Sequence, residues 1–279
     1  MGTVYQAAHH ETGALAALKL MKPDVVASPE LRKRFRQEAV ICARVESDHI
    51  VRVYDAGTDE ATGVPFIVMG LLRGGDLEAR LAARGPYAVP QVVLLLHQVA
   101  LALERTHAAG VVHRDLKPSN LLVTQRDDGG PCVKIVDFGI AKIIAQSGSL
   151  RTTLAAGTPF YMAPEQIRGD ATIGPAADRF ALGHLAYTLL VGEEYWRPLY
   201  ESEGGKVFPV LRAIQTGPVR LATESALARG VRLPPTFDRW FRIATAVDPA
   251  ARFDGAYAQI QALADALGAP RPRPLAPWW

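Results

Sequence analysis

Residues His113 to Asn120 read His-Arg-Asp-Leu-Lys-Pro-Ser-Asn, and Asp137-Phe138-Gly139 follows across one hairpin's worth of chain. These side-chain types are the set needed to move a phosphoryl group from a nucleotide to a hydroxyl. Asp115 can accept the hydroxyl's proton, and Lys117 can neutralise charge on the moving group. Asn120 and Asp137 supply hard oxygen ligands of the kind Mg²⁺ takes together with phosphate oxygens. His-Arg-Asp alone is a weak signal. The extended string is specific because Asn120 stands five residues after Asp115 and Ala163-Pro164-Glu165 lies further on.

With these motifs the chain resembles the eukaryotic-like protein kinases, and Lys117 with Gly157-Thr158 points to the serine/threonine branch, most like its bacterial members. The resemblance runs from Gly2 to about Leu267 and implies ATP and Mg²⁺ as cofactors and protein substrates bearing Ser or Thr. It implies that Lys19, in Ala17-Leu18-Lys19, touches the nucleotide phosphates and pairs with Glu38. Read without the resemblance, Lys19 is a solvated strand lysine and Glu38 an exposed partner of Arg34. The adenine site is implied at Val68 to Leu72, with Met69 screening the back and the backbone of Gly70 and Leu72 contacting the base. Many relatives carry Glu where Gly70 stands, but a backbone carbonyl makes that contact. Val4, Ala17 and Leu122 supply apolar faces, which ordinary core packing would equally explain. Asp76 matches a ribose-contacting position and, after Gly74-Gly75, reads equally as a helix N-cap.

By the same resemblance, Arg114 can pair with a phosphothreonine at Thr152 or Thr153, which lie in a long polar segment between Gly139 and Ala163. Thr158 matches a substrate platform whose hydroxyl bridges Asp115 and Lys117. Glu165 is expected to pair with Arg252, and Asp178 to hold the backbone of the catalytic loop; these three are structural. His113 and Phe138 are expected to stack with Cys42 and Val53. His107, His97, His184 and the His9-His10 pair show no metal-ligand spacing and read as solvated or core histidines. Met1-Gly2-Thr3-Val4-Tyr5 resembles the tail end of a glycine-rich loop, with Gly2 as its last glycine. The preceding strand and earlier glycines are absent from this sequence, so the expectation is a start assigned too late or a truncated gene.

The elements that must position these residues are readable from periodicity and punctuation. Thr3 to Ala7 and Leu15 to Leu20 read as strands around a turn at Glu11-Thr12-Gly13. A helix starts at Ser28-Pro29 and runs to about Val45. Ile50 to Ala56 and Phe66 to Met69 read as strands, and Asp76 to Arg84 as a short helix. Pro90 opens a long helix in which Val92, Val93, Leu96, Val99, Ala100 and Leu103 recur at the spacing of one buried face, ending at Gly110. Leu121 to Thr124 and Val133 to Val136 form a hairpin. Helices are expected at Ala177 to Val191, Val207 to Gln215, Thr236 to Thr245 and Gly255 to Leu267. Strands first and helices later predict an α+β, two-lobed fold. Residues 1–70 form a small antiparallel-sheet N-lobe without its first strand and 71–268 a mainly helical C-lobe, while 269–279 is a Pro-rich tail or linker. The Glu193 to Gly230 stretch departs most from the family pattern.

Composition excludes several classes. The apolar fraction is 49%, the charged fraction 21% and the net charge +3, which gives no electrostatic reason to expect nucleic acid or an acidic membrane as partner. Cys42 and Cys132 form no metal-type pair and no disulfide framework, so a reducing cytoplasm is the expected setting. No apolar run reaches the roughly 18 residues of a membrane span, and no signal peptide is visible. Two functional readings follow: an active serine/threonine kinase able to self-associate for autophosphorylation, or a kinase-fold nucleotide-binding or scaffolding module impaired by its short N-terminus. A small-molecule phosphotransferase is a weaker third, since it would lack the platform from Gly157-Thr158 to Glu165.

Overall fold

The computed structural model describes residues 2–21, 35, 43, 45–126, 128–137, 159–170 and 172–272. Glu38, Cys42, Phe138, Thr152, Thr153, Thr158 and nearly all of the helix expected from Ser28 lie outside the described residues. The chain begins with an antiparallel sheet of β1 (Thr3–Ala8), β2 (Leu15–Leu20), β3 (Val53–Thr58) and β4 (Pro65–Gly70), in spatial order β1-β2-β4-β3. Tight turns at His9–Gly13 and Asp59–Gly63 close its hairpins through backbone bonds of 2.8 Å each. Register sets Val4 opposite Lys19, and Ala17 opposite Met69. Gly2 lies so close to the end of β2 that an added Cβ would sit 1.9 Å from the Leu20 carbonyl oxygen. Only glycine fits there.

The remainder is mainly helical around a second small sheet. A two-residue strand, β5 (Gly75–Asp76), leads into α1 (Leu77–Arg84) and α2 (Val89–Ala108), followed by the hairpin β6 (Leu121–Gln125) and β7 (Pro131–Ile135). Then come α3 (Pro164–Arg168), α4 (Ala176–Val191), α5 (Arg197–Ser202), α6 (Val207–Thr216), α7 (Ala222–Leu227), α8 (Thr236–Ala244) and α9 (Ala256–Ala266). This is an α+β kinase-like architecture. Val92, Val93, Leu96, Val99, Ala100 and Leu103 are all buried on α2, and all but Val93 share one core with Leu121, Ile135, Phe180, Leu182 and Leu185. The Gln98 amide fastens α2 to the outer edge of β7, donating to Pro131 O (3.0 Å) and accepting from Val133 N–H (2.8 Å). At Gly183 a Cβ would meet Ala244 Cβ at 2.9 Å, so glycine lets α4 and α8 approach closely.

The strand expected from Ile50 begins only at Val53. Val51 N–H instead donates to Ile135 O (3.0 Å) and Ile135 N–H to His49 O (2.9 Å), so residues 49–51 pair with β7 of the second sheet rather than with β4. Helices α5 and α7 occupy the 193–230 stretch, where the sequence reading placed α6 alone. Ion pairs hold this region: Arg197 to Glu194 at 3.0 Å, and Arg229 to Glu193. No helix among the described residues is long and apolar enough to cross a membrane.

Candidate active site

The segment from Val111 to Asn120 connects α2 to β6 and carries the polar string. Its backbone is fixed from beneath by Asp178, in the first turn of α4. Asp178 Oδ2 accepts from His113 N–H and Oδ1 from Arg114 N–H, both at 2.8 Å. His107, near the end of α2, reaches the same Oδ2 at 2.8 Å. Burial alone would push the Asp178 carboxyl up. The His107 hydrogen bond, the charges of His107 and His113, and the His113 N–H outweigh it, and its pKa ends below the ordinary value. His107 is therefore a partner of a buried carboxylate, not a solvated or merely packed histidine. Nothing in its residue type announced this, because its partner lies 71 residues away.

Above this anchor the polar side chains of the string converge. Lys117 Nζ lies 3.3 Å from Asp115 Oδ2. Asn120, in the 3₁₀ turn Pro118–Asn120, donates through Nδ2 to Asp115 O at 2.7 Å and to Asp115 Oδ2 at 3.3 Å. With its amide nitrogen so engaged, Asn120 has its carbonyl oxygen left for a metal. Val136 N–H donates to Asn120 O (3.0 Å), which sets Asp137 beside this turn. Asp137 Oδ1 lies 2.6 Å from Lys19 Nζ, bridging β2 to the end of the second sheet. An amide oxygen and a carboxylate are the sparse protein donor set that Mg²⁺ accepts when substrate phosphates and water complete its shell. Among the described residues no group of three or more His, Cys, Asp or Glu offers a self-sufficient metal cage. By its chemistry, an amide oxygen beside a carboxylate, the donor set fits Mg²⁺ held together with phosphate oxygens.

Beside Lys19, Ala17, Val51 and Met69 form a small buried apolar cluster, with Leu71, Leu72 and Val136 packed against it. Gly70 N–H donates to Arg52 O at 2.9 Å, and a Cβ there would find Tyr54 Oη at 3.5 Å, so a larger residue would be tolerated. Leu122 is half-buried and stands opposite Asp76 across β5 and β6. Val4 is more than half exposed on β1, directly across from Lys19. Asp76 caps α1, its Oδ1 accepting from Ala79 N–H at 2.7 Å. Of its two readings, the cap is the one with a bond behind it.

His113 is buried, its Nε2 3.1 Å from Val136 O. Arg252 meets Glu165 in a buried two-pronged ion pair, with Nη1 to Oε1 at 2.7 Å and Nη2 to Oε2 at 2.8 Å. Its guanidinium also donates to Ala176 O (2.7 Å) and Ala246 O (2.8 Å), and it lies over the Phe180 ring. One contact escaped the sequence reading. The Gln166 side chain accepts from Ala163 N–H at 3.0 Å and donates to Arg114 O at 2.9 Å. Half of it was legible, since Gln in the third helical position can reach back to the N–H of the residue before the helix, although Ala163 has no side chain to complete a capping box.

The chain is similar to known proteins along nearly its whole length. The protein kinase domain family matches residues 1–226. The serine/threonine-protein kinase PknL of Mycobacterium tuberculosis is 36% identical over 278 residues, covering 99% of this chain and 65% of PknL. PknD of the same organism is 35% identical over 267 residues, covering 96% of this chain and 38% of PknD. The chain thus spans less than two thirds of the length of these curated relatives. The crystal structure of the M. tuberculosis PknI kinase domain superimposes with a TM-score of 0.73 at 28% identity, covering 96% of this chain and 92% of that one.

Proposed function

The chain belongs to the protein kinase family, and from that premise we propose that it is a serine/threonine protein kinase of bacterial signalling, transferring the γ-phosphoryl group of ATP to Ser or Thr hydroxyls of proteins. The observation that carries this reading is the convergence of Asp115, Lys117 and Asn120 within one turn, with Asp137 and Lys19 paired beside it. That the named relatives are serine/threonine kinases favours the enzyme over the scaffolding alternative.

In this reading the nucleotide's base lies against Ala17, Met69, Leu72 and Leu122, with Val4 above, while Lys19 holds the phosphates. Glu38 is the proposed partner of Lys19. The substrate hydroxyl hydrogen-bonds Asp115 Oδ, and its oxygen bonds to the γ-phosphorus as the bond from that phosphorus to the β–γ bridging oxygen breaks. ADP leaves, and the hydroxyl proton passes to Asp115. Lys117, next to Asp115, offsets negative charge on the transferring group. Mg²⁺, when bound by Asn120 and Asp137, would draw charge off the phosphate oxygens. Arg114 pairs with a phosphothreonine formed at Thr152 or Thr153 when one copy phosphorylates another, and Thr158 bridges Asp115 and Lys117. The lobes divide at residues 70 and 71, the tail after 268 is a linker, and the domain works in the cytoplasm.

The decisive experiment is Asp115→Asn, assayed with a threonine-containing protein substrate. A positioned acid–base group contributes about 10²–10⁴ in rate, so turnover should fall by that factor while Mg·ATP affinity stays within about twofold, because Asp115 acts on the transition state more than on the nucleotide. Wild-type turnover in the variant would sink the assignment.

A further inference from the structure

The Gln166 side chain is held at both ends by main-chain groups that belong to different parts of the molecule. In a capping box the side chain at the third helical position reaches back to the N-cap N–H, and Ala163, with no side-chain acceptor, leaves only that half of the motif. Here the oxygen does that for Ala163, but the nitrogen reaches the carbonyl of Arg114, 52 residues earlier in the chain. The amide orientation is fixed by its neighbours, because the reverse would set donor against donor and acceptor against acceptor.

Arg114 is where such a bond matters. It is one of two non-glycine residues with positive φ among those described, at 63°. An L-residue with a side chain resists that conformation. The peptide before Arg114 is fastened by Asp178 from α4 at 2.8 Å; the peptide after it is fastened on its carbonyl by Gln166 from α3 at 2.9 Å and, more loosely, on its N–H by His113 Nδ1 at 3.3 Å. That second peptide carries the nitrogen of Asp115, so its rotation would swing the Asp115 side chain away from Lys117 and Asn120. Gln166 sits on a firm base, since the preceding residue is clamped by Arg252 through two bonds. We propose that Gln166 is a positioning residue for phosphoryl transfer: one amide ties the chain entering α3 to the Arg114 carbonyl, so that the placement of Asp115 depends on the segment leading into α3. This rests on the kinase reading for its catalytic consequence and on geometry alone for its structural one.

Gln166→Glu separates the two ends. The carboxylate still accepts from Ala163 N–H but turns an acceptor toward the Arg114 carbonyl. Gln166→Leu removes both bonds without adding charge, and serves if the glutamate variant folds poorly. In the full chain, hydrogen exchange of the backbone across residues 111–120 should rise by roughly twofold to twelvefold in Gln166→Glu, the range one side-chain hydrogen bond commands, with α4 unchanged. Turnover should fall by about the same factor with KM for Mg·ATP within about twofold, since misplaced catalytic groups cost rate rather than nucleotide affinity. Unchanged exchange would overturn the proposal whatever the turnover. Faster exchange with unchanged turnover would reduce Gln166 to a structural bond and overturn its positioning role. A wild-type chain that transfers no phosphate would refute the kinase reading, yet the exchange comparison would still decide whether Gln166 holds the loop.

Discussion

Replacing Asp178 by Asn tests how the fold holds its reacting groups, because the substitution changes almost no volume. The aspartate accepts three hydrogen bonds with two oxygens: His113 N–H and His107 Nε2 on Oδ2, and Arg114 N–H on Oδ1. An asparagine has one oxygen. If its amide nitrogen takes the Oδ1 place it faces Arg114 N–H. If it takes the Oδ2 place it faces His113 N–H, although His107 can change tautomer and accept there. In either orientation one main-chain N–H of the catalytic loop points at another donor. An unsatisfied buried donor costs about 1–3 kcal/mol, and each 1.4 kcal/mol is about a tenfold change in population. The competent loop should therefore be depopulated by roughly fivefold to 150-fold, a loss smaller than the 5–15 kcal/mol typical of whole-domain stability. The assay is steady-state turnover on a threonine-containing protein, with the melting midpoint measured in parallel. The variant should remain folded, turn over about 5- to 150-fold more slowly, and keep KM for Mg·ATP, because the bonds of Asp178 go to His107, His113 and Arg114 and not to the Ala17–Val51–Met69 cluster. Turnover equal to wild type would refute the anchoring argument.

Asp137→Ala should remove Mg²⁺-supported nucleotide binding, and calorimetric titration of Mg·ATP with unchanged affinity would contradict it. Arg252→Met leaves Glu165 buried and unpaired, which costs about 3–5 kcal/mol, or roughly 6–20 °C in melting midpoint for a chain of this size. Adding Glu165→Leu should recover part of that loss, and a double variant as unstable as Arg252→Met alone would show that the orphaned carboxylate was not the cause. His184 is buried among Phe180, Tyr195, Trp196 and Phe241, and burial followed by the charge of Arg252 lowers its pKa from 6.5 to about 3. Its folded pKa is depressed, so its contribution to stability is present above the unfolded value and is lost as pH falls from about 6.5 toward 3. The slope from this one group is up to about 1.4 kcal/mol per pH unit. His184→Phe should flatten the dependence of the urea midpoint on pH in that window, and an unchanged slope would show that His184 is not the group responsible.

Much of the fold was legible because period and punctuation are local. The buried face of α2 follows from the three-and-four spacing of Val92 to Leu103, and β2 from the apolar run at Leu15 to Leu20. What local pattern could not supply was partnership across the chain. Ile50 and Val51 carry strand propensity, yet residues 49–51 pair with β7, because the backbone bonds available there belong to Ile135. The same limit applied at the site. Sequence spacing drew Asp115, Lys117 and Asn120 into one turn, since they lie within six consecutive residues. It could not show His107 under Asp178 or Gln166 on Arg114, whose contacts span 71 and 52 residues. Asp76 stood between two readings because a carboxylate after two glycines suits both a ligand and a cap, and its bond to Ala79 N–H favours the cap.

The two positive-φ non-glycine residues among those described, Arg114 at 63° and Asp137 at 58°, lie on either side of the turn that carries Asp115, Lys117 and Asn120. Residues held in such conformations cost of order 1–3 kcal/mol each, so each must be held by bonds that a relaxed backbone would forgo. For Arg114 these are the Asp178 carboxylate on its N–H and the Gln166 amide on its carbonyl. For Asp137 they are the Lys19 ion pair and, one residue earlier, the bond from Val136 N–H to Asn120 O. The two sets of restraints differ in origin. The two bonds named for Arg114 come from α3 and α4, whereas Asp137 is held in part by β2 of the first sheet. The carboxylate that would receive the proton is thus built into the rigid helical body. The carboxylate that would meet the metal is held in part by β2, through Lys19. A change in the sheet's position should therefore alter nucleotide and metal binding before it alters Asp115. By the same reasoning Lys19→Ala should loosen Asp137 and weaken Mg·ATP binding, while hydrogen exchange across residues 111–120 stays as in the wild type. Faster exchange there in Lys19→Ala would show that the two carboxylates are held as one unit and that this division is wrong.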